Sequence, residues 1–176
     1  MRELFTMDKK NYDENGKVGK RPSVRGIIIQ DGKIAMMHSL KYDYYKLPGG
    51  GIEAGESFEE TLVREVREES GLLVKENSIK EFGYVRRIEK GKIEDIFVQD
   101  NYYYLCEVED TKVSQELDDY EEDEIFTLEF VTTEQAIYVN ENADHQEKAQ
   151  SENFSGMILR ENRVLEIIRK EILESK

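Results

Sequence analysis

The 176-residue chain has no tryptophan, one cysteine, two histidines and two prolines. A lone cysteine, Cys106, excludes an intrachain disulfide and the cysteine-rich zinc sites. Two histidines, His38 and His145, are too few and too poorly placed for a nucleophile–histidine triad. No Pro/Ser-rich linker, internal repeat or low-complexity tract divides the sequence, so it reads as one domain. No apolar run approaches the roughly 20 residues that span a bilayer, and the charged stretch Met1–Lys20 lacks a secretory apolar core. A cytoplasmic protein with no membrane partner is therefore expected. Positive charge is also scarce: 39 Asp and Glu against 25 Lys and Arg give a formal net charge of −14. That field repels a polyanion such as duplex DNA, so no nucleic-acid polymer is expected as a partner. A small anionic substrate would need metal ions or a few focused cations.

Against those absences stands a clear pattern of elements. Leu4–Met7 reads as an edge strand followed by a loop. Val24–Gln30 and Lys33–His38 read as strands joined by the hairpin signal Asp31-Gly32. The aromatic segment Tyr42–Lys46 runs into the breaker cluster Leu47-Pro48-Gly49-Gly50-Gly51. Ser57 followed by Glu60 is a capping box, which predicts a helix from Ser57 to about Ser70 ended by Gly71, with Leu62, Val63 and Val66 as its apolar side. Lys80–Ile88, Ile93–Val108 and Ile125–Val131 read as strands, and Asp110–Glu124 as an acidic connection. Thr132 or Thr133 caps a short helix, Tyr138–Asn153 reads as loop, and Met157–Leu173 is amphipathic through Val164, Leu165, Ile168 and Ile172. Strands, helix, strands, helix is an α+β order with a mixed sheet, not a doubly wound one.

Chemistry concentrates between Gly50 and Leu72. On the predicted helix Glu65, Glu68 and Glu69 span an arc of about 100° on one face, away from most of the apolar side chains. Three crowded carboxylates repel one another unless a hard divalent cation sits among them. Arg64 can pair with Glu56 and hold it. A Glu-rich helix alone is most simply a solvated face, which is the reading for Glu59 and Glu60. The full spacing is more specific: Gly50, Glu56, Arg64-Glu65-Val66, Glu68-Glu69 and Gly71-Leu72 give G-x5-E-x7-R-E-U-x-E-E-x-G-U, where U is apolar. A chance match per window lies well below roughly one in a million.

This segment resembles the Nudix box at every position, and the chain is similar to the Nudix hydrolases from about Pro22 to Ile137. The resemblance implies an α/β/α sandwich with a mixed sheet between helices, over a single domain 1–176 that adds a C-terminal helix at about 157–173. It implies Mg²⁺ or Mn²⁺ held by Glu65, Glu68, Glu69 and the Gly49 carbonyl, with Glu56 and Arg64 orienting the loop and helix. It implies attack of water on phosphorus in a nucleoside diphosphate derivative. The general base is then Glu65 in the box or a downstream loop glutamate, for which Glu121, Glu122 and Glu124 are candidates. Lys46 and Arg25 are candidate phosphate contacts, weighed equally against ordinary surface cations. Arg86, Arg87, Lys90 and Lys92 form a basic cluster read mainly as a solvated hairpin tip, and Tyr102–Tyr104 is read as sheet packing. Cys106 is expected to be buried and inert. Family members are often homodimers, and the apolar face of the last helix suits either a dimer or packing on its own domain. The alternative function is a non-catalytic nucleotide sensor, which would be expected to lose box carboxylates, and none is lost. A Nudix-fold isomerase of isopentenyl diphosphate would need a tryptophan and an activated cysteine, which the chain does not offer.

Overall fold

The computed structural model describes residues 1–175. The N-terminal strand β1 (Glu3–Asp8) and the short β2 (Val18–Lys20) precede β3 (Ser23–Ile27) and β4 (Ile29–Gln30). The apolar run read as one strand is therefore broken at Ile28. There the backbone changes partners: the Ile27 carbonyl accepts from Cys106 N–H and the Ile28 carbonyl from Ala35 N–H. Asp31 and Gly32 take left-handed backbone (φ 49° and 75°) and turn β4 into β5 (Lys33–Ser39), as a two-residue hairpin turn requires. β6 (Tyr44–Lys46) then leads to the glycine loop and to α1 (Phe58–Ser70). Next come β7 (Leu72–Val74), β8 (Lys80–Lys90), β9 (Ile96–Leu105) and β10 (Val108–Lys112). The chain closes with α2 (Asp119–Asp123), β11 (Phe126–Val131), α3 (Thr133–Asn142) and α4 (Glu152–Ile168), which runs on as a π-helical turn to Leu173.

Two sheets share the β3–β4 segment. In the first, β8 lies between β1 (parallel) and β9 (antiparallel), and β2 and β3 both pair with β9 in parallel. In the second, β5 pairs antiparallel with β4, β6 and β11. Helices cover both sides. Leu62 and Val66 of α1 pack with Val24, Ile28, Ala35, Tyr104 and Cys106. On the opposite side Val164, Leu165 and Ile168 of α4 and Ala136 of α3 pack with Ile27, Ile34, Met36 and Tyr103. Each fully buried aliphatic side chain in these layers contributes about 1.5–3 kcal/mol. The result is an α+β, α/β/α arrangement around mixed sheets, as expected. The apolar face of α4 is used within the chain.

Several expectations need correction. Tyr138–Asn153 is not a loop: α3 extends to Asn142, a 3₁₀ turn covers Gln146–Gln150, and α4 begins at Glu152, five residues before the apolar pattern starts. The acidic connection Asp110–Glu124 contains the end of β10 and the helix α2. The strand read as Ile93–Val108 is β9 from Ile96 to Leu105 and, after a break at Cys106 and Glu107, the first residue of β10.

Candidate active site

The site is built where the glycine loop lies across β3 and meets α1. Ser57 caps α1, its side chain accepting from Glu60 N–H while the Glu60 carboxylate accepts from Ser57 N–H. Gly71 ends the helix in left-handed backbone (φ 73°), donating to the Arg67 carbonyl. With Leu62 and Val66 fixed in the core, Glu65 and Glu69 are aimed at the glycine loop. The Glu65 carboxylate lies over Gly50, so close that a β-carbon there would sit 2.6 Å from Oε1 and closer still to Oε2. Glu69 is buried at 4% exposure, and its Oε2 accepts from Gly49 N–H at 2.9 Å. Gly49 itself has φ 138°, and a β-carbon there would lie 2.9 Å from Arg25 Cα and nearer the Val24 carbonyl oxygen. The loop therefore needs glycine at both positions, for different reasons.

Cations of the chain organise the carboxylates. Arg64 forms a fork on Glu56, with Nε to Oε1 at 2.6 Å and Nη2 to Oε2 at 2.8 Å. Its Nη1 bridges Glu65 at 2.8 Å and Glu68 at 3.1 Å. Nη2 also donates to the Gly51 carbonyl at 3.3 Å, which ties the helix to the loop. Lys46, on β6, is buried and donates to Glu69 (2.9 Å), Glu121 (3.0 Å) and the Tyr120 hydroxyl (2.9 Å). Its ammonium is thus shared between two buried carboxylates. Glu121 is fixed by a second capping box, in which Asp118 caps α2 and Glu121 reaches back to Asp118 N–H.

These surroundings move the proton equilibria. Hydrogen bonding to Arg64, then to Thr61, holds Glu56 down at about 2. Burial raises Glu65 despite the neighbouring Arg64. Burial likewise pushes Glu69 up to about 8 against the pull of Lys46, with Glu121 adding to the rise. Glu121 moves the other way: burial opposes its ionisation, but hydrogen bonding to Glu69 and the Lys46 charge hold it at about 2. One ammonium between two buried carboxylates cannot neutralise both, so their titrations are driven apart.

The remaining candidates separate. Of the three loop glutamates, only Glu121 joins the box residues. Glu122 is exposed, and the Glu124 carboxylate is taken by Tyr44, Ser39 and Lys148. Arg25 lies on β3 beside Gly49, and its buried Nε has no hydrogen-bond partner among the described residues. Arg86 is forked on Asp100. Tyr103 and Tyr104 are core residues of the two opposite layers. Cys106 is buried, and burial pushes its thiol up to about 12, as an inert core cysteine requires. His38 stacks on Tyr45 and contacts Glu129 and Asp43.

No group of three or more His, Cys, Asp or Glu side chains among the described residues is gathered into a ready-made metal cage. The reason is visible: Arg64 Nη1 lies between Glu65 and Glu68, and Glu69 faces Lys46. The donor set nonetheless fits a hard divalent ion. It is all oxygen, and carboxylates keep lone pairs beyond those already used. The loop adds one more oxygen. The Pro48 and Gly50 carbonyls accept from Gly26 and Val24 N–H, whereas the Gly49 carbonyl accepts no backbone hydrogen bond among the described residues.

The NUDIX domain profile matches residues 19–154, and the chain belongs to the Nudix family. It is 42% identical over 60 residues to an ADP-ribose pyrophosphatase of Methanocaldococcus jannaschii, covering 32% of this chain and 36% of that protein. It is 41% identical over 56 residues to an RNA pyrophosphohydrolase of Acinetobacter baylyi, covering 31% and 34%. The matched stretch thus spans about a third of the length of these curated relatives. The crystal structure of a MutT NUDIX hydrolase from Burkholderia pseudomallei shares the fold, with a TM-score of 0.51 at 19% identity over 66% of this chain and 85% of that one. No helix among the described residues is long and apolar enough to cross a membrane.

Proposed function

We propose that the protein is a divalent-metal-dependent hydrolase that cleaves the diphosphate linkage of a small nucleoside diphosphate derivative. The observation that carries this reading is the seating of Glu65 and Glu69 against the Gly49–Gly50 loop, with Glu68 one turn away on the same face. The names of the matched relatives, both of them pyrophosphate-cleaving enzymes, point the same way.

In this reading Glu65, Glu68, Glu69 and the Gly49 carbonyl would hold Mg²⁺ or Mn²⁺. When bound, such an ion offsets the negative charge of the diphosphate oxygens, polarises phosphorus and lowers the pKa of a bound water. Each residue of the chain then has a task. Arg64 keeps its fork on Glu56 and so fixes the loop against the helix, while its Nη1 contacts to Glu65 and Glu68 are the ones a metal would replace. Lys46 holds Glu69 in place from behind. Glu65 takes the proton of the attacking water at a carboxylate oxygen. Its carboxylate lies against the glycine loop, whereas that of Glu121 is held by Lys46 and a helix cap. Two phosphorylated products leave.

The test is hydrolysis of a panel of nucleoside diphosphate derivatives in isotopically labelled water, with Mg²⁺ or Mn²⁺. One label in one phosphorylated product per turnover is expected. Binding without turnover across the panel would instead support the sensor.

A further inference from the structure

Four cations of this acidic protein gather beside the box. A cleft of about 360 Å³ opens between β3, β9 and the start of α4. Arg25, Arg87, Lys148 and Arg160 line it, with Gln99 and Asn153 among its other polar residues, and no carboxylate does. In a chain with 39 acidic and 25 basic residues, four cations and no acid around one cleft is an uneven distribution. The acids that pair with three of these cations stand outside the lining: Glu89 with Arg87, Glu124 with Lys148 and Glu161 with Arg160.

Two of the guanidinium groups are incompletely satisfied. Arg160 is 5% exposed; its terminal nitrogens hold Asn101 and Glu161, but its Nε has no partner among the described residues. Arg25 Nε is shielded from water and likewise lacks a partner. Buried charged donors left unpaired are costly, so both guanidinium groups carry positive charge beside the cleft that protein acceptors only partly offset. The first turn of α4, a 17-residue helix capped by Ser151, also borders the cleft and adds the favourable end of its dipole for an anion. The cleft adjoins the box at Arg25, whose Cα underlies Gly49. At its other end Arg87, Gln99 and Asn153 also line a second cleft of about 500 Å³, so an extended molecule has room to continue.

We infer that this cleft is a phosphate-binding subsite that seats a phosphoryl group of the substrate other than those of the cleaved linkage, without a metal ion. Its place beside the box rests on the hydrolase reading above and narrows it. The favoured substrates carry at least one phosphoryl group beyond the cleaved diphosphate, as nucleoside and dinucleoside polyphosphates do, and diphosphates whose distal moiety is an uncharged sugar are disfavoured.

Calorimetric titration of inorganic pyrophosphate into the full chain in EDTA isolates the subsite, because the box carboxylates repel an anion when no metal is present. Saturable one-site binding is expected. Arg25→Gln and Lys148→Gln should each weaken it by at least about tenfold, or about 1.4 kcal/mol, and Glu68→Gln should leave it unchanged. Lys148 is partly exposed, and the buried Glu124 keeps hydrogen bonds from Tyr44 and Ser39 without it, so thermal unfolding that shows Lys148→Gln folded lets it read the site even if Arg25→Gln fails to fold. In turnover with metal, a dinucleoside tetraphosphate should exceed ADP-ribose in kcat/KM by at least about tenfold, and Lys148→Gln should abolish that preference. No saturable pyrophosphate binding below about 10 mM, or binding that neither cation variant weakens, overturns the subsite. A preference for ADP-ribose that Lys148→Gln leaves intact overturns the substrate assignment. Turnover that survives Glu68→Gln would instead count against the hydrolase assignment of the box, while the metal-free titration still judges the subsite.

Discussion

Replacing Gly50 with alanine should separate activity from stability, and replacing Gly49 should not. At Gly50 the three atoms nearest the new β-carbon all belong to the carboxylate of Glu65, the far end of a flexible side chain. The helix and loop can stay in place while that carboxylate swings away. The cost to folding is then about 1 kcal/mol or less, which for a chain of this size lowers Tm by roughly 2–4 °C. Activity should suffer far more, because Glu65 leaves its place against the loop. Losing a positioned base costs about 100- to 10,000-fold in kcat. At Gly49 the collision is with backbone, the Val24 carbonyl oxygen and Arg25 Cα, and φ is 138°. No rotamer relieves it. A loss of about 3 kcal/mol or more is expected, hence a Tm lower by roughly 6–12 °C. Thermal unfolding and metal-dependent turnover of the two variants, measured side by side, test this directly. A Gly50→Ala protein with full turnover, or one that unfolds 10 °C early by the same scale, would refute the placement of Glu65.

Other consequences follow from the ion pairs. Lys46→Met leaves Glu69 and Glu121 buried without their ammonium, and breaking a buried pair costs about 3–5 kcal/mol; urea unfolding at neutral pH should show it, and an unchanged midpoint would mean that water solvates both acids. Glu56 is lowered from 4.5 to about 2 by Arg64. Its contribution to stability is therefore complete above pH 4.5 and is lost as pH falls toward about 2. Glu56→Gln should flatten the dependence of the denaturation midpoint on pH in that window, and an acid limb identical to wild type would count against the Arg64–Glu56 fork.

Legibility from sequence tracked how local each feature is. The helix α1 carries its own start and stop, Ser57–Glu60 and Gly71, and its bounds came out as read. Hairpin and glycine loop are equally local signals. The α3–α4 region was misread because its burial is polar. Asn140 is buried to hold both backbone groups of Tyr45, and His145 is buried on the carbonyls of Tyr42 and Asn140, so apolar periodicity is silent there. α4 starts before its apolar stripe because Ser151 caps a first turn of polar residues. In the candidate site the box spacing located Glu65, Glu68 and Glu69, but not the way Lys46 joins Glu69 to Glu121, since those residues come from three separate elements. One local signal was present: Asp118 followed by Glu121 has the same capping-box spacing as Ser57 and Glu60, and it would have picked Glu121 out of the acidic run. Nothing local announces the cation-lined cleft, whose residues lie on β3, β8 and β9 and around the start of α4.

The most direct test of the central claim is product release from a nucleoside diphosphate panel with and without Mg²⁺ or Mn²⁺, comparing the wild type with Glu68→Gln and Glu69→Gln variants whose circular dichroism shows them folded. The account predicts turnover that requires the metal and falls by at least about 100-fold in both variants. Turnover that is indifferent to chelation, or that survives both substitutions, would contradict it.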